Sequence, residues 1–185
     1  MSDFPTLQTQ RLQLREITAA DAPALLAIHG DAQAMRWFGN EPLTELQQAE
    51  KLVDVFAAWR KLPNPGVRWG IALHDSDALI GSCGIFKWNR GWRCCTLGYE
   101  LAQHAWGQGY MHEALTAALD WGFEHMALNR IEAQVHSDNA ASLKSVEKLG
   151  FVLEGRIRQA GFWLGQYHDL LQYGLLRSDY PRPTP

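Results

Sequence analysis

Apolar residues recur with a two-residue period in some parts of the chain and with a helical period in others. Residues 11–17 alternate apolar and polar positions, which is typical of a half-buried strand. Two helices are predicted next, over residues 22–29 and 44–60. The first is expected to end in a left-handed cap at Gly30, and the second to open with the capping box Thr44-Glu45-Leu46-Gln47.

The middle of the chain predicts an antiparallel meander followed by a long helix. Three strands, over residues 67–73, 79–88 and 94–101, are separated by short turn-forming segments. The period then changes, because residues 111–126 are apolar at helical spacing. This helix directly follows the segment Trp106-Gly107-Gln108-Gly109, so the glycines lie between a strand and a helix.

The last third predicts a short strand over residues 131–135 and a helix over 139–149. A final hairpin pairs residues 151–159 with 167–176 around Gly165. The resulting order is β-α-α-β-β-β-α-β-α-β-β, without a linker or a repeat. We therefore expect one domain of the α+β class that spans all 185 residues.

Composition and charge exclude several classes of protein. A net charge of -3 argues against a bulk electrostatic grip on nucleic acid or anionic lipid. No apolar run reaches the roughly 20 residues that span a bilayer, and the first residues lack the layout of a secretion signal. Three cysteines and no HExxH or paired CxxC spacing favour neither disulfides nor a metal site. We expect a cytoplasmic protein without membrane, nucleic-acid or metal partners.

The segment Trp106 to Met111 is the best candidate for chemistry. Gly107 and Gly109 lack Cβ atoms, so the backbone can curl and direct successive N–H groups at one anion, at the positive end of the following helix. A plain tight turn would have the same sequence. A dinucleotide fingerprint needs a third glycine near His112, and a P-loop needs GK[ST], and neither is present.

The loop resembles the GNAT acetyltransferase pattern [QR]-x-x-G-x-[GA]. It is most similar to the form W-G-[QK]-G-[YIL]-[AM] of the bacterial ribosomal-protein N-terminal acetyltransferase group. Further matching segments flank the loop in the expected order: TQRLQLREI, GYEL, EALTAALDW, NAASLKSVEKLGF and GQYHD. The resemblance covers residues 9–177. It implies a GNAT-like fold, with about four helices and a mixed, mostly antiparallel sheet of six to seven strands.

The same resemblance implies that this sheet is splayed between its fourth and fifth strands, 94–101 and 131–135. Acetyl-CoA, as co-substrate, would lie in that gap, where the backbone near residues 99–101 would bond its pantetheine arm like an added strand. The cofactor-binding residues implied are Tyr99, Leu101, Trp106, Gly107, Gln108, Gly109, Tyr110, Met111, Asn139 and Ser142.

Ser142 is the candidate acid for the leaving thiolate. It follows Asn139 by three residues, so both project from one side of the first helical turn, and the resemblance places them on the pantetheine amides and near the sulfur. The alternative is structural: Asp138 or Asn139 is the helix N-cap and Ser142 has no special role. The two interpretations are compatible.

The general base has two candidates in this sequence. Many members of the family carry a tyrosine acid where this chain has Val146, and base glutamates where it has Thr96 or Gly161. Glu100 shares a strand face with Thr96 and is the first candidate, acting directly or through water. His136 is the second. Trp106 replaces a Gln or Arg at the loop, so the backbone must supply most of the pyrophosphate grip.

These observations predict an N-acetyltransferase that acts on a primary amine, with a protein N-terminus as the first expectation. The alternatives are a small-molecule amine, such as an amino acid, polyamine or antibiotic, and a non-catalytic acyl-CoA-binding module. The acceptor side has an aromatic and mildly acidic composition that suits a cation: Trp37, Phe38, Trp163, Glu41 and Glu45. A homodimer stays open, because relatives often pair through their sheets or helices.

Overall fold

The computed structural model describes residues 4–180, which form one mixed sheet with helices on both faces. The strands are β1 Leu7–Gln8, β2 Leu12–Arg15, β3 Val67–Leu73, β4 Leu79–Asn89, β5 Cys94–Leu101, β6 Arg130–His136, β7 Val152–Trp163 and β8 Gln166–Leu176. The helices are α1 Ala22–His29, α2 Ala32–Met35, α3 Leu46–Ala58, α4 Tyr110–His125 and α5 Ala140–Lys148. None of these helices is long and apolar enough to cross a membrane.

The sheet has the order β1-β2-β3-β4-β5-β6-β8-β7. Neighbouring strands are antiparallel except β5 and β6, which are parallel. The predicted α+β class and mostly antiparallel sheet are confirmed. The described residues form eight strands rather than six or seven, because the two-residue β1 adds an edge. They form five helices rather than about four, because α2 is a separate turn.

Each face of the sheet is covered by its own helices. The face of β5 that carries Cys95 and Leu97 contributes to a core with Leu115 and Leu119 of α4. A smaller core lies on the opposite face, between α1, α3 and the sheet. Since side chains alternate along a strand, successive residues of β5 face different helices. Tyr99 and Glu100 therefore lie on opposite faces.

Two predicted helix caps differ in the structure. Gly30 has φ −84°, so it is not the left-handed cap expected. A Cβ there would lie 2.9 Å from the carbonyl oxygen of Leu43, so the glycine permits a close backbone approach instead. The capping box of α3 is shifted by one residue, because Oε1 of Gln48 accepts from the N–H groups of Thr44 (2.7 Å) and Glu45 (3.1 Å).

The final hairpin is longer than the pattern predicted. β7 extends to Trp163, and the chain reverses at Leu164 and Gly165, which have φ values of 51° and 73°. Two consecutive positive φ angles are typical of the tight turns that join antiparallel strands. The extension brings Trp163 toward the segment that follows α2, where Nε1 of Trp163 donates to the carbonyl oxygen of Arg36 at 3.1 Å.

Candidate active site

The sheet opens between β5 and β6. Their ladder contains three residue pairs, from Cys94 with Arg130 to Thr96 with Glu132, and the two strands then continue without pairing. The gap is therefore bordered by residues 97–101 on one side and 133–136 on the other. The splay predicted between the fourth and fifth strands is found at this point.

Tyr99 and Leu101 turn their backbone groups toward the gap. The N–H of Ala102 donates to the carbonyl oxygen of Ile80 at 2.8 Å, which fixes the register between β4 and β5. Because hydrogen-bonding direction alternates along an antiparallel strand, Gly98 and Glu100 bond β4, whereas Tyr99 and Leu101 face away from it. One of these gap-facing groups is used internally, since Nε1 of Trp106 donates to the carbonyl oxygen of Leu101 at 2.7 Å.

The glycine loop precedes α4 directly, as predicted. Gly107 and Gly109 have φ values of 73° and 80°, a conformation that L residues rarely adopt. A Cβ on Gly107 would meet no atom within 4 Å, so the space over this backbone is open. The first N–H groups of a helix have no partner within the helix, and here they follow the loop. These features fit an anion such as a pyrophosphate.

Contacts to neighbouring turns and to the core hold the loop in place. Nε2 of Gln108 donates to the carbonyl oxygen of His104 at 2.9 Å, so this side chain braces the loop. Met111 packs against the larger core. The Arg11 guanidinium lies over the Tyr110 ring, with Cζ 4.6 Å from the ring centroid.

Arg11 is a loop residue that sequence reasoning missed. Its Nη1 donates to the carbonyl oxygen of Gln108 at 2.9 Å, and its Nε lies 2.7 Å from the carboxylate of Glu113. The side chain is 43% exposed, so a guanidinium paired with Glu113 lies beside the glycines. Arg11 immediately precedes β2 and Gln108 lies in the loop before α4, far away in the chain, and no local pattern links them.

Asn139 and Ser142 lie at the start of α5, across the gap from β5. Oδ1 of Asn139 accepts from the N–H of Ser142 at 3.1 Å, so Asn139 is the N-cap of the helix. This cap uses the amide oxygen and not the amide nitrogen. Oγ of Ser142 lies 2.7 Å from the phenol oxygen of Tyr99, which links α5 to β5.

Glu100 is buried on the opposite face of β5. Its carboxylate accepts from Arg68 and from Ser82, and lies 3.3 Å from Nε2 of His29. Burial alone raises the pKa of Glu100, but the charge of Arg68 and the contacts with His29 and Ser82 outweigh it and hold the pKa below its usual value. A direct base needs a free lone pair and a pKa closer to neutrality, and these contacts favour neither.

His136, the second candidate base, is the middle of a hydrogen-bonded chain. The N–H of Asp138 donates to its Nδ1 at 3.1 Å, and its Nε2 lies 3.0 Å from Nδ1 of His168. Nε2 of His168 lies 3.1 Å from the carbonyl oxygen of Trp163. A neutral imidazole has one donor and one acceptor nitrogen, so every bond runs from Asp138 toward Trp163. His136 then has no free acceptor nitrogen.

Aromatic rings surround this chain where β6 ends. Trp37 stacks on His136 with centroids 4.1 Å apart, and Trp163 stacks on His168 at 3.7 Å. We call these four rings the aromatic cluster. It joins two of the residues expected on the acceptor side, Trp37 and Trp163. His168 lies in the segment GQYHD, but its contact with His136 could not be predicted, because it depends on pairing between distant strands.

The other residues expected on the acceptor side have different surroundings. The Phe38 ring packs edge-on to His29, with centroids 5.4 Å apart. The carboxylate of Glu41 accepts from the N–H of Leu164 at 2.7 Å, which ties the segment after α2 to the hairpin. Glu45 is the N-cap residue of α3. The carboxylate of Glu41 thus takes part in a structural contact, whereas Glu45 is exposed.

Comparison with known proteins agrees with this geometry. The sequence profile of the acetyltransferase (GNAT) domain family matches residues 11–152. The chain is 34% identical over 174 residues to the uncharacterized N-acetyltransferase YoaA of Bacillus subtilis, covering 94% of this chain and 98% of that protein. It is 26% identical over 173 residues to the putative ribosomal N-acetyltransferase YdaF of Bacillus subtilis, covering 91% and 92%.

A solved structure shows the same fold. The spermidine N-acetyltransferase of Vibrio cholerae, in complex with CoA and spermine, superposes with a TM-score of 0.79 at 24% identity, covering 91% of this chain and 97% of that one.

Proposed function

Because this chain belongs to the GNAT family and is an acetyl-CoA-dependent N-acetyltransferase, we propose that its acceptor is the N-terminal amine of a protein or peptide. The aromatic cluster at the end of β6 carries the proposal. It places a half-buried Trp37 beside the gap, stacked on the buried His136, which in turn bonds the buried His168. A ring such as Trp37 attracts a single cation, and in the free protein the Arg36 guanidinium lies over it, 4.4 Å from its centroid.

A polyamine acceptor is less well matched to these surroundings. Molecules with several positive charges need several available carboxylates, but Glu41 bonds the N–H of Leu164. Asp169, which follows His168, bonds Nε of Arg156 and the N–H of Gln159, each at 2.7 Å. These two carboxylates are therefore engaged, whereas the carboxylate of Asp138 is exposed and accepts from Oγ of Ser137 at 3.4 Å. The relative named for ribosomal proteins supports the same choice.

The proposed catalysis depends on positioning. Acetyl-CoA supplies a reactive thioester, so the protein need only align the amine and assist the departing sulfur. The loop from Trp106 to Met111 and the start of α4 would hold the pyrophosphate, and the backbone of Tyr99 and Leu101 would hold the pantetheine arm. The amide nitrogen of Asn139 would bond the same arm.

Ser142 would donate to the sulfur as the acid. For the base, we propose water in contact with the gap, since each oxygen of the buried Glu100 carboxylate already accepts a hydrogen bond and the acceptor nitrogen of His136 is occupied. Glu100 contributes to the site through the packing of β5 and the order of its backbone.

A mixture experiment tests the acceptor. The purified protein is supplied with acetyl-CoA and peptides that begin with Ser, Ala or Met, with the same peptides blocked at the N-terminus, and with spermidine. We expect thiol release and a mass gain of one acetyl group with the free peptides only. Transfer to spermidine but not to peptides would contradict the proposed acceptor and indicate a polyamine instead. Binding of acetyl-CoA without turnover of any amine would indicate a binding module.

A further inference from the structure

We propose that Tyr99 and Ser142 form a proton relay across the gap, in which Tyr99 supplies the proton that Ser142 passes to the leaving sulfur. The inference rests on the proposed function, since it assumes that Ser142 is the acid. The sequence predicted a role for the backbone of Tyr99 only, and this inference assigns a role to its phenol side chain. Tyr99 would be a positioning and proton-supplying residue that acts through Ser142.

The geometry places both hydroxyl groups in a fixed contact. The phenol oxygen of Tyr99 lies 2.7 Å from Oγ of Ser142, and 3.4 Å from the carbonyl oxygen of the same residue. Ser142 is held in turn by the N-cap, because its N–H donates to Asn139. The relay therefore connects β5 to α5 at the gap, where β5 and β6 no longer pair.

The direction of the hydrogen bond follows from the acidity of the two groups. A phenol is a stronger acid than an aliphatic hydroxyl, so Tyr99 donates to Oγ of Ser142. Ser142 then keeps its own O–H, for which residues 4–180 provide no acceptor besides the phenol oxygen. That O–H is free to point into the gap toward a substrate atom.

The surroundings keep the phenol protonated. Burial raises the pKa of Tyr99 to about 12, while the hydrogen bond with Ser142 lowers it in part. Tyr99 is thus a donor over the whole pH range of an acetyl-transfer assay. Position 146 of α5, where the family resemblance implies a tyrosine acid, holds the fully buried Val146. The phenol reaches Ser142 from β5 instead.

The step balances without another reactant. The C–N bond forms, the thioester C–S bond breaks, and the electron pair of that bond stays on sulfur. Ser142 gives its proton to sulfur and receives the proton of Tyr99. The proton that the amine loses on becoming an amide returns to Tyr99 through water, so the products are the acetamide and free coenzyme A.

The test compares two tyrosine-to-phenylalanine variants of the full chain. Tyr99→Phe removes the relay hydroxyl. Tyr180→Phe removes a hydroxyl that also makes a partly buried hydrogen bond, to Asp120 at 2.9 Å, and is the matched control. We expect kcat to fall on the order of 10- to 100-fold in Tyr99→Phe, within or just below the usual contribution of a general acid. In Tyr180→Phe kcat should stay at the wild-type value, and both variants should bind acetyl-CoA with unchanged affinity.

Two further measurements separate a relay from a structural role. The double variant Tyr99→Phe with Ser142→Ala should be no slower than Ser142→Ala alone, because residues that act as a unit are not additive. The second measurement follows the thiol of bound coenzyme A by its ultraviolet absorbance as the pH is raised. Hydrogen-bond donors favour the charged form of a thiol, so both Tyr99→Phe and Ser142→Ala should raise its pKa and Tyr180→Phe should not.

The outcomes distinguish this inference from the proposed function. If the wild-type protein releases no thiol with any amine, the proposed function fails. If it turns over but Tyr99→Phe matches Tyr180→Phe in kcat and in the thiol pKa, the relay alone is overturned. A loss of acetyl-CoA affinity with unchanged kcat would also overturn the relay, because the phenol would then only hold the arm.

Discussion

Asn139 combines two roles that single substitutions can separate. Its amide oxygen caps α5, and its amide nitrogen is proposed to bond the pantetheine arm. Asn139→Ser keeps a capping oxygen but removes the amide nitrogen, so we expect the free energy of unfolding to be preserved and KM for acetyl-CoA to rise.

Asn139→Ala removes both groups and should also lower the free energy of unfolding by about 1 kcal/mol. Urea denaturation and steady-state kinetics on the two variants measure these effects. An unchanged KM in both would mean that Asn139 is a cap alone.

Glu100 is expected to matter for stability more than for chemistry. Glu100→Gln leaves the Arg68 guanidinium without its buried counter-charge, and breaking a buried pair in this way typically costs about 3–5 kcal/mol. We expect a large fall in the free energy of unfolding, measured with urea, and a smaller change in kcat at a temperature where the variant is folded. A stable variant with kcat reduced by a hundredfold would instead support Glu100 as the base.

At the scale of single elements, the glycine loop depends on backbone conformation. Gly107→Ala and Gly150→Ala both place a Cβ on a residue with positive φ, 73° and 89°, and should each cost about 1–2 kcal/mol of stability. Gly150 lies at the end of α5 and serves as the control. Only Gly107→Ala should weaken acetyl-CoA binding in calorimetry, because its Cβ covers the proposed anion site. Equal affinities for both variants would contradict a role for the loop backbone.

The elements themselves could be predicted well from the sequence. The meander, the long helix after the glycines and the helix from residue 139 all arise from local periodicity and turn chemistry, and the structure has them. The left-handed cap predicted at Gly30 was wrong, because a Cβ there would meet two carbonyl oxygens, that of Leu26 at 2.7 Å and that of the more distant Leu43 at 2.9 Å. β1 and the extra length of β7 were missed because pairing, not pattern, creates them.

The parts of the candidate site that depend on neighbouring residues in the chain could be predicted. The three-residue spacing of Asn139 and Ser142 predicts one helix face, and the loop glycines predict positive φ. The contacts of Arg11 with Gln108, of His136 with His168 and of the Tyr99 phenol with Ser142 join residues 32 to 97 positions apart. No window of sequence contains such contacts, since they exist only after the sheet has formed.

For the whole molecule, the histidine chain predicts how stability changes with pH. Burial lowers the pKa of His136 below 6.5, His168 and Arg36 lower it further, and the charges of Asp138 and Asp169 partly oppose them. The unfolded chain then binds a proton more readily than the folded protein below about pH 6.5. We therefore expect the free energy of unfolding to fall as the pH drops from 7.5 to about 5.5.

His136→Phe keeps a ring beside Trp37 and removes the titrating group. The pH dependence of its free energy of unfolding, measured by urea denaturation at several pH values, should be shallower than that of the wild type. If the free energy of unfolding depends on pH in the same way in both proteins, groups other than His136 cause the loss of stability at low pH.

Along the open edge of β5, the rates of amide hydrogen–deuterium exchange should alternate from one residue to the next. Gly98 and Glu100 bond β4 and should exchange slowly, whereas Tyr99 and Leu101 face the gap and should exchange quickly in the free protein. Added acetyl-CoA should slow exchange at Tyr99 and Leu101 alone. NMR spectroscopy measures the exchange rate of each amide separately. A strand on which all four amides are slow from the start would mean that the gap is already closed. We therefore expect the co-substrate to complete the sheet while it is bound, and its departure after each turnover to expose that edge to water again.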